Sequence, residues 1–144
     1  MYNIKIERDV SYAGYDDIIT INPDNKFVSI TYEPEGFMNT AEKSQMKELS
    51  FADYQPIAEA FEKINFYTVL EESDIIKGYD GWTLNCTVSK GMTNLSVSLW
   101  CPNEDPSKPE TTKLLRACIK VFDLFGIDLF EDEETEEWKD SYLF

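Results

Sequence analysis

The sequence predicts an α+β domain: a mainly antiparallel sheet built from hairpins, with two amphipathic helices packed on one face. Three observations point to it. Trp82, Leu84, Cys86 and Val88 alternate with Thr83, Asn85, Thr87 and Ser89, and Leu95, Val97, Leu99 and Cys101 alternate with Ser96, Ser98 and Trp100. Leu114, Leu115, Cys118, Val121, Phe122 and Phe125 recur instead at helical spacing, opposite Lys113, Arg116, Lys120 and Asp123. Tyr54, Ile57, Ala58, Phe61 and Ile64 do the same behind Ser50 and Asp53, which have the spacing of a helix cap.

Taken in order, Tyr2 to Arg8 alternates as an opening strand and Ser11 to Gly14 reads as a bend. Ile18 to Ile21 and Phe27 to Tyr32 flank Asn22-Pro23-Asp24-Asn25-Lys26, where proline presets its dihedral and Asp and Asn accept left-handed geometry; this is a hairpin. Pro34 to Lys47, with mixed polarity and Gly36, reads as a surface loop or a short irregular helix. The first helix is expected over 51–65, with Pro56 tolerated if the first turn begins near Asp53. A short strand is expected around Tyr67-Thr68-Val69-Leu70. Lys90 to Asn94 links the 82–101 hairpin, leaving one face apolar and the other rich in hydroxyls. Pro102 to Pro109 is a loop, the second helix spans 112–125, and Gly126 ends it.

Charge is the strongest functional signal. In the last seventeen residues Asp128, Glu131, Asp132, Glu133, Glu134, Glu136, Glu137 and Asp140 face a single Lys139, so the segment holds -7 of the chain's net -15. The expected organisation is one α+β domain over 1–127 followed by an acidic tail over 128–144. With 42% hydrophobic and 14% aromatic residues the 144-residue chain should fold despite this charge. A field of this sign attracts cations and basic proteins and repels nucleic acid and anionic membrane. Trp138 and Tyr142 interrupt the tail, and a purely solvating segment has no use for such aromatics. Trp100, on the hydroxyl-rich face, is a further candidate anchor. No apolar run is long enough to span a membrane, and Met1 to Lys5 leads into alternating polarity and not into a secretory leader; the expected compartment is the cytoplasm.

Conventional catalysis finds few residues to work with. Histidine is absent, which removes the usual general base, the commonest zinc ligand and the Ser-His and Cys-His nucleophile systems. Cys86, Cys101 and Cys118 fall in apolar periodic segments and read as reduced core thiols. Asp16-Asp17 and Asp80-Gly81 read as turn initiators. The tail has no glycine to form a calcium loop, and no phosphate loop, GxSxG elbow or zinc spacing occurs. The expectation is no enzyme activity, no cofactor and no metal.

In general form the chain resembles the immunity proteins of bacterial polymorphic-toxin and contact-dependent inhibition systems. The features shared are a small acidic α+β domain, the Trp82 to Cys101 hairpin, the Trp100-Cys101-Pro102 exit and the late helix at Thr112 to Phe125. The resemblance implies stoichiometric inhibition of a cognate toxin, often a basic nuclease. Asp128, Glu131 to Glu134, Glu136, Glu137 and Asp140 would steer the partner in, and Trp138, Tyr142 and Trp100 would anchor it. The alternative is a phage-type nucleic-acid mimic, an anti-restriction or anti-CRISPR inhibitor, with carboxylates in strips at phosphate-like spacing. An immunity protein would instead gather its acids around an apolar centre.

Overall fold

Ile4, Ile6, Arg8 and Val10 alternate with Asn3, Lys5, Glu7 and Asp9, so β1 (Asn3–Val10) has one inward and one outward side. The computed structural model describes residues 2–10, 15–24, 26–35, 44–73 and 81–130. Around β1 it builds a six-stranded sheet from β2 (Tyr15–Pro23), β3 (Val28–Glu35), β4 (Gln45–Leu49), β5 (Thr83–Lys90) and β6 (Thr93–Trp100). The order is β4-β3-β2-β1-β5-β6, and each neighbouring pair is antiparallel. Gly91-Met92 closes the β5–β6 hairpin; Gly91 has φ +60°, the left-handed geometry that two-residue turns require.

The described residues add three helices: α1 (Phe51–Glu62), α2 (Phe66–Glu72) and α3 (Pro109–Asp123). Ser50 caps α1, its hydroxyl accepting the Asp53 N–H at 3.0 Å. Pro56 lies inside α1, beyond the tolerated first turn; Ala52 is exposed, which lets solvent take the carbonyl that loses its donor. α1 starts at the expected residue 51 and ends at 62 where 65 was expected, while α3 starts at 109 and ends at 123 where 112 and 125 were expected.

Two expectations fail. Residues 66–72 form a helix, where a strand around 67–70 was expected. Asn65 caps it by accepting the Thr68 N–H at 3.2 Å, and Phe66 and Val69, three apart, are its buried pair. Its partner is α3. No side chain caps α3 locally, and Glu72 supplies the missing acceptor to the Glu110 and Thr111 N–H groups at 2.9 and 3.1 Å. Glu110 in return accepts the Asn65 N–H at 3.0 Å, so each helix satisfies the other's start. Where a loop or irregular helix was expected over 34–47, the two ends are strand, Pro34 lying in β3 and Gln45 opening β4, and residues 36–43 lie outside the described residues. β4 pairs on one side only and has no fully buried residue, so its sequence has no alternation to show.

Ile4, Ile6, Ile19, Ile21, Ile30, Leu84, Val88 and Val97 from the sheet join Tyr54, Phe61, Leu114, Val121 and Phe122 from α1 and α3 in one core. Tyr54 is tied to the strand side by its hydroxyl, which accepts the Tyr2 N–H at 2.8 Å and donates to the Tyr2 carbonyl at 2.9 Å. Lys47 donates to the Leu124 carbonyl at 2.8 Å and lies over the Phe125 ring, which also packs against Tyr32.

Inside this core sits an ion pair. Arg8 is 6% and Asp17 3% exposed, and they face each other across β1 and β2. Arg8 Nε donates to Asp17 Oδ2 at 2.8 Å and Nη2 donates to the same oxygen; the Tyr32 hydroxyl donates to Oδ1 at 2.7 Å. Arg8 Nη1 donates to the carbonyls of Asp128 and Leu129 at 2.8 and 2.9 Å, and the guanidinium lies 5.5 Å from the Phe122 ring centre. Among the described residues no buried side-chain polar atom lacks a partner. Removing one member strands the other's charge, which costs about 3–5 kcal/mol, whereas removing both leaves no charge uncompensated. Asp17→Ala and Arg8→Met should therefore each lower unfolding free energy by about that much in urea titrations, and Arg8→Met/Asp17→Leu should cost well below the sum. Additive losses would show that the two side chains do not act as a pair.

Candidate partner-binding face

The inward set Ile4, Ile6, Arg8, Asp17, Ile19, Tyr32 forces its sequence neighbours onto the other side of the sheet. Strand register then places them in rows. Glu35, Asp16, Asp9, Thr83 and Trp100 lie side by side across β3, β2, β1, β5 and β6; Glu33, Ile18, Glu7, Asn85 and Ser98 form the next row. Five carboxylates thus occupy three adjacent strands. Cross-strand neighbours stand about 5 Å apart at Cβ and alternate residues along a strand about 6.7 Å apart. Ile18, 9% exposed, lies in their midst. Beyond them charges thin out: Thr31, Thr20, Thr87 and Ser96 flank Lys5, then Ser29, Asn22, Asn3, Ser89 and Asn94 follow, with Glu48 of β4 opposite Ser29. Lys5 is the only cation on these rows.

The crowding has an electrostatic signature. Partial burial, helped by the hydrogen bond and charge of Asp9 and by the charges of Glu7 and Glu35, pushes the Asp16 carboxyl up to about 7. Asp9 and Asp16 stand directly opposite each other, so a proton held between them relieves one of two like charges. Glu7 is steadied by Asn85, which donates from Nδ2 at 2.9 Å. Among the described residues no group of three or more carboxylates or thiols has the geometry to hold a metal ion.

The sequence-derived candidates fall elsewhere. Glu131, Asp132, Glu133, Glu134, Glu136, Glu137, Trp138, Asp140 and Tyr142 lie outside the described residues. Asp128 is exposed, its Oδ1 accepting the Phe130 N–H at 3.0 Å while its carbonyl is held by Arg8. Leu129 is buried and Phe130 packs edge-on against Trp82 at 6.0 Å, so residues 128–130 are docked on the domain. Trp100 ends the acidic row half-buried, its indole so close over Gly81 that a Cβ there would lie 2.9 Å from Nε1. Cys86 and Cys118 are buried in the core, and the hydrogen bond between the Cys118 thiol and Cys86, together with burial, pushes the Cys118 thiol up, keeping it neutral. Cys101, half-buried, holds φ +43°, with its N–H donating to the Trp82 carbonyl at 2.7 Å.

Sequence reasoning read Asp16-Asp17 as a turn, but both lie in β2 and point to opposite sides, Asp17 into the ion pair and Asp16 into the acidic cluster. The alternation of Ile4 and Ile6 was the available signal for Glu7 and Asp9; bringing in Glu33 and Glu35 required knowing that the β2–β3 hairpin runs past Ile18 and Tyr32 to Asp16 and Glu35. No family model and no curated protein matches the chain.

Because Asp16 binds its proton more tightly folded than unfolded, its contribution to stability is fully present below the unfolded value of 3.8 and is lost as pH rises through about 7. Asp16→Asn should thus raise unfolding free energy at pH 8 by about 1 kcal/mol after allowance for solvent screening, and leave it nearly unchanged at pH 4. Denaturant titrations at the two pH values measure this; an equal effect at both would mean that Asp16 does not feel its neighbours.

Proposed function

We propose that this chain is an inhibitory binding protein that neutralises a basic partner, such as a nuclease toxin, by stoichiometric contact, in the manner of the immunity proteins it resembles. The observation that carries the reading is the gathering of Glu7, Asp9, Asp16, Glu33 and Glu35 around Ile18 on one face of the sheet. Acids around an apolar centre suit a surface that meets lysines and arginines at its rim and excludes water at its middle. A nucleic-acid mimic needs long strips of acid at phosphate-like spacing. Here the runs stop after two acids on β1 and two on β3, which favours the inhibitor of a basic protein surface.

In this reading the net charge of -15 accelerates encounter, and residues 131–144 extend the attractive field, with Trp138 and Tyr142 as anchors. On contact, a lysine or arginine over the Asp9–Asp16 pair favours its fully ionised form and expels the shared proton. Binding would require no catalysis, cofactor or metal, and would take place in the cytoplasm. No helix among the described residues is long and apolar enough to cross a membrane.

The test is affinity capture of the partner from the native cell, then kinetics with the purified pair. The expected partner is a basic protein bound one-to-one. Its association rate should fall about tenfold between low and high salt, and its affinity should rise from pH 6 to pH 8 as Asp16 gives up its proton. Glu7→Gln/Asp9→Asn/Asp16→Asn should weaken binding and abolish that pH dependence. Retention of duplex DNA or RNA, or an affinity that the triple variant leaves intact, would refute the reading.

A further inference from the structure

The two edges of the sheet are built differently. β4, one edge, is five residues long and carries exposed Lys47 and Glu48, the charges with which natural sheets discourage further pairing. β6, the other, is eight residues long, reads Thr-Asn-Leu-Ser-Val-Ser-Leu-Trp, and contains no charge, proline or glycine. Its own hairpin shows which backbone groups are left over. Cys101 donates to the Trp82 carbonyl, so the odd-numbered residues of β6 bond to β5 and the even-numbered ones, Asn94, Ser96, Ser98 and Trp100, turn their N–H and C=O groups away from it. No strand among the described residues pairs with them.

We infer that the β6 edge is a dimerisation surface that takes β6 of a second copy of this chain, antiparallel, about a twofold axis. Side-chain parity restricts the register, because residues opposite each other must lie on the same face of a continuous sheet. The register centred on Val97 pairs every residue from Asn94 to Trp100. It sets Ser96 opposite Ser98 of the second copy, both with outward backbone groups, and places Leu95, Val97 and Leu99 together on the core side. Thr87 and Ser96 already share a 2.6 Å hydroxyl contact on the other side, and the second copy's serines lengthen that row. α2 packs beside β6 and leaves Tyr67 71% and Leu70 49% exposed, apolar surface that flanks the joint.

Charge selects this arrangement for a protein of net charge -15. Antiparallel pairing runs the acidic row ending at Trp100 into the Asn94, Ser89, Asn3 row of the second copy, which is uncharged across β6, β5 and β1. Each copy's acids therefore meet the other's neutral end, and both acidic clusters stay open for a partner.

Hydrogen exchange on the full chain, with its sedimentation mass, tests the inference. The native chain should sediment at twice 16.7 kDa. The Ser96 and Ser98 amides should be protected in the dimer and exchange about tenfold faster or more on dilution. Ser96→Glu/Ser98→Glu, which opposes like charges across the joint, and Ser98→Pro, which removes one outward N–H, should each be monomeric with an unchanged circular dichroism spectrum. A monomer whose Ser96 and Ser98 amides exchange freely at all concentrations would overturn the inference, as would a dimer that survives both variants. A monomer that dimerises only after residues 131–144 are removed would assign the edge to the chain's own C-terminal segment. Loss of basic-partner binding in edge variants of a monomeric chain would assign it to that partner.

Discussion

The ion pair between Arg8 and Asp17 decides which way the charged ends of β1 and β2 face. Near Ile4, Ile6, Ile19 and Ile21, hydrophobic alternation alone specifies the inward side. At Glu7-Arg8-Asp9 and Asp16-Asp17-Ile18 it does not, since by polarity Ile18 belongs inside and Asp17 outside. The buried pair reverses that preference. Asp17 is accepted inside because both its oxygens are bonded, one by Arg8 and one by Tyr32, and Arg8 because its remaining donors find two carbonyls at residues 128 and 129. Ile18 is thereby turned outward, with Glu7, Asp9 and Asp16 around it.

The same network joins distant parts of the chain. β1 is central in the sheet, and Arg8 binds the segment that follows α3 about 120 residues later. That segment seats Phe130 against Trp82, beside the entrance to β5. The mutual capping of α2 and α3 by Glu72 and Glu110 makes a second, independent clasp. Both use charged residues that composition alone would place on the surface. Of the chain's acids, Asp17, Glu72 and Glu110 hold the fold, while Glu7, Asp9, Asp16, Glu33 and Glu35 gather on the outer side of the sheet.

The β5–β6 hairpin and the helices α1 and α3 were legible in the sequence because burial on one side leaves a period of 2 or 3.6. β4 was not, being an edge strand with little to bury, and α2 was not, being too short for its period to register and dependent on Glu72's bond to another helix. The acidic cluster lay half in view. Its β1 members follow from alternation, but Asp16, Glu33 and Glu35 lie beyond the expected ends of the 18–32 hairpin, where Asp16-Asp17 read as a turn and Pro34 as the start of a loop, although β2 and β3 in fact pair through Glu35. Arg8 and Asp17 were invisible for the opposite reason: nothing in their types distinguishes a buried charge from a solvated one until its partners are known.

The most direct measurement is the titration of the Asp16 carboxyl carbon by NMR in the intact chain. If the inward ion pair gathers the acids as described, Asp16 titrates near 7, and Asp9→Asn moves it down, with Glu7→Gln and Glu35→Gln moving it down by less. A native value of about 4, unmoved by those substitutions, would mean that the carboxylates are not gathered and would contradict the account.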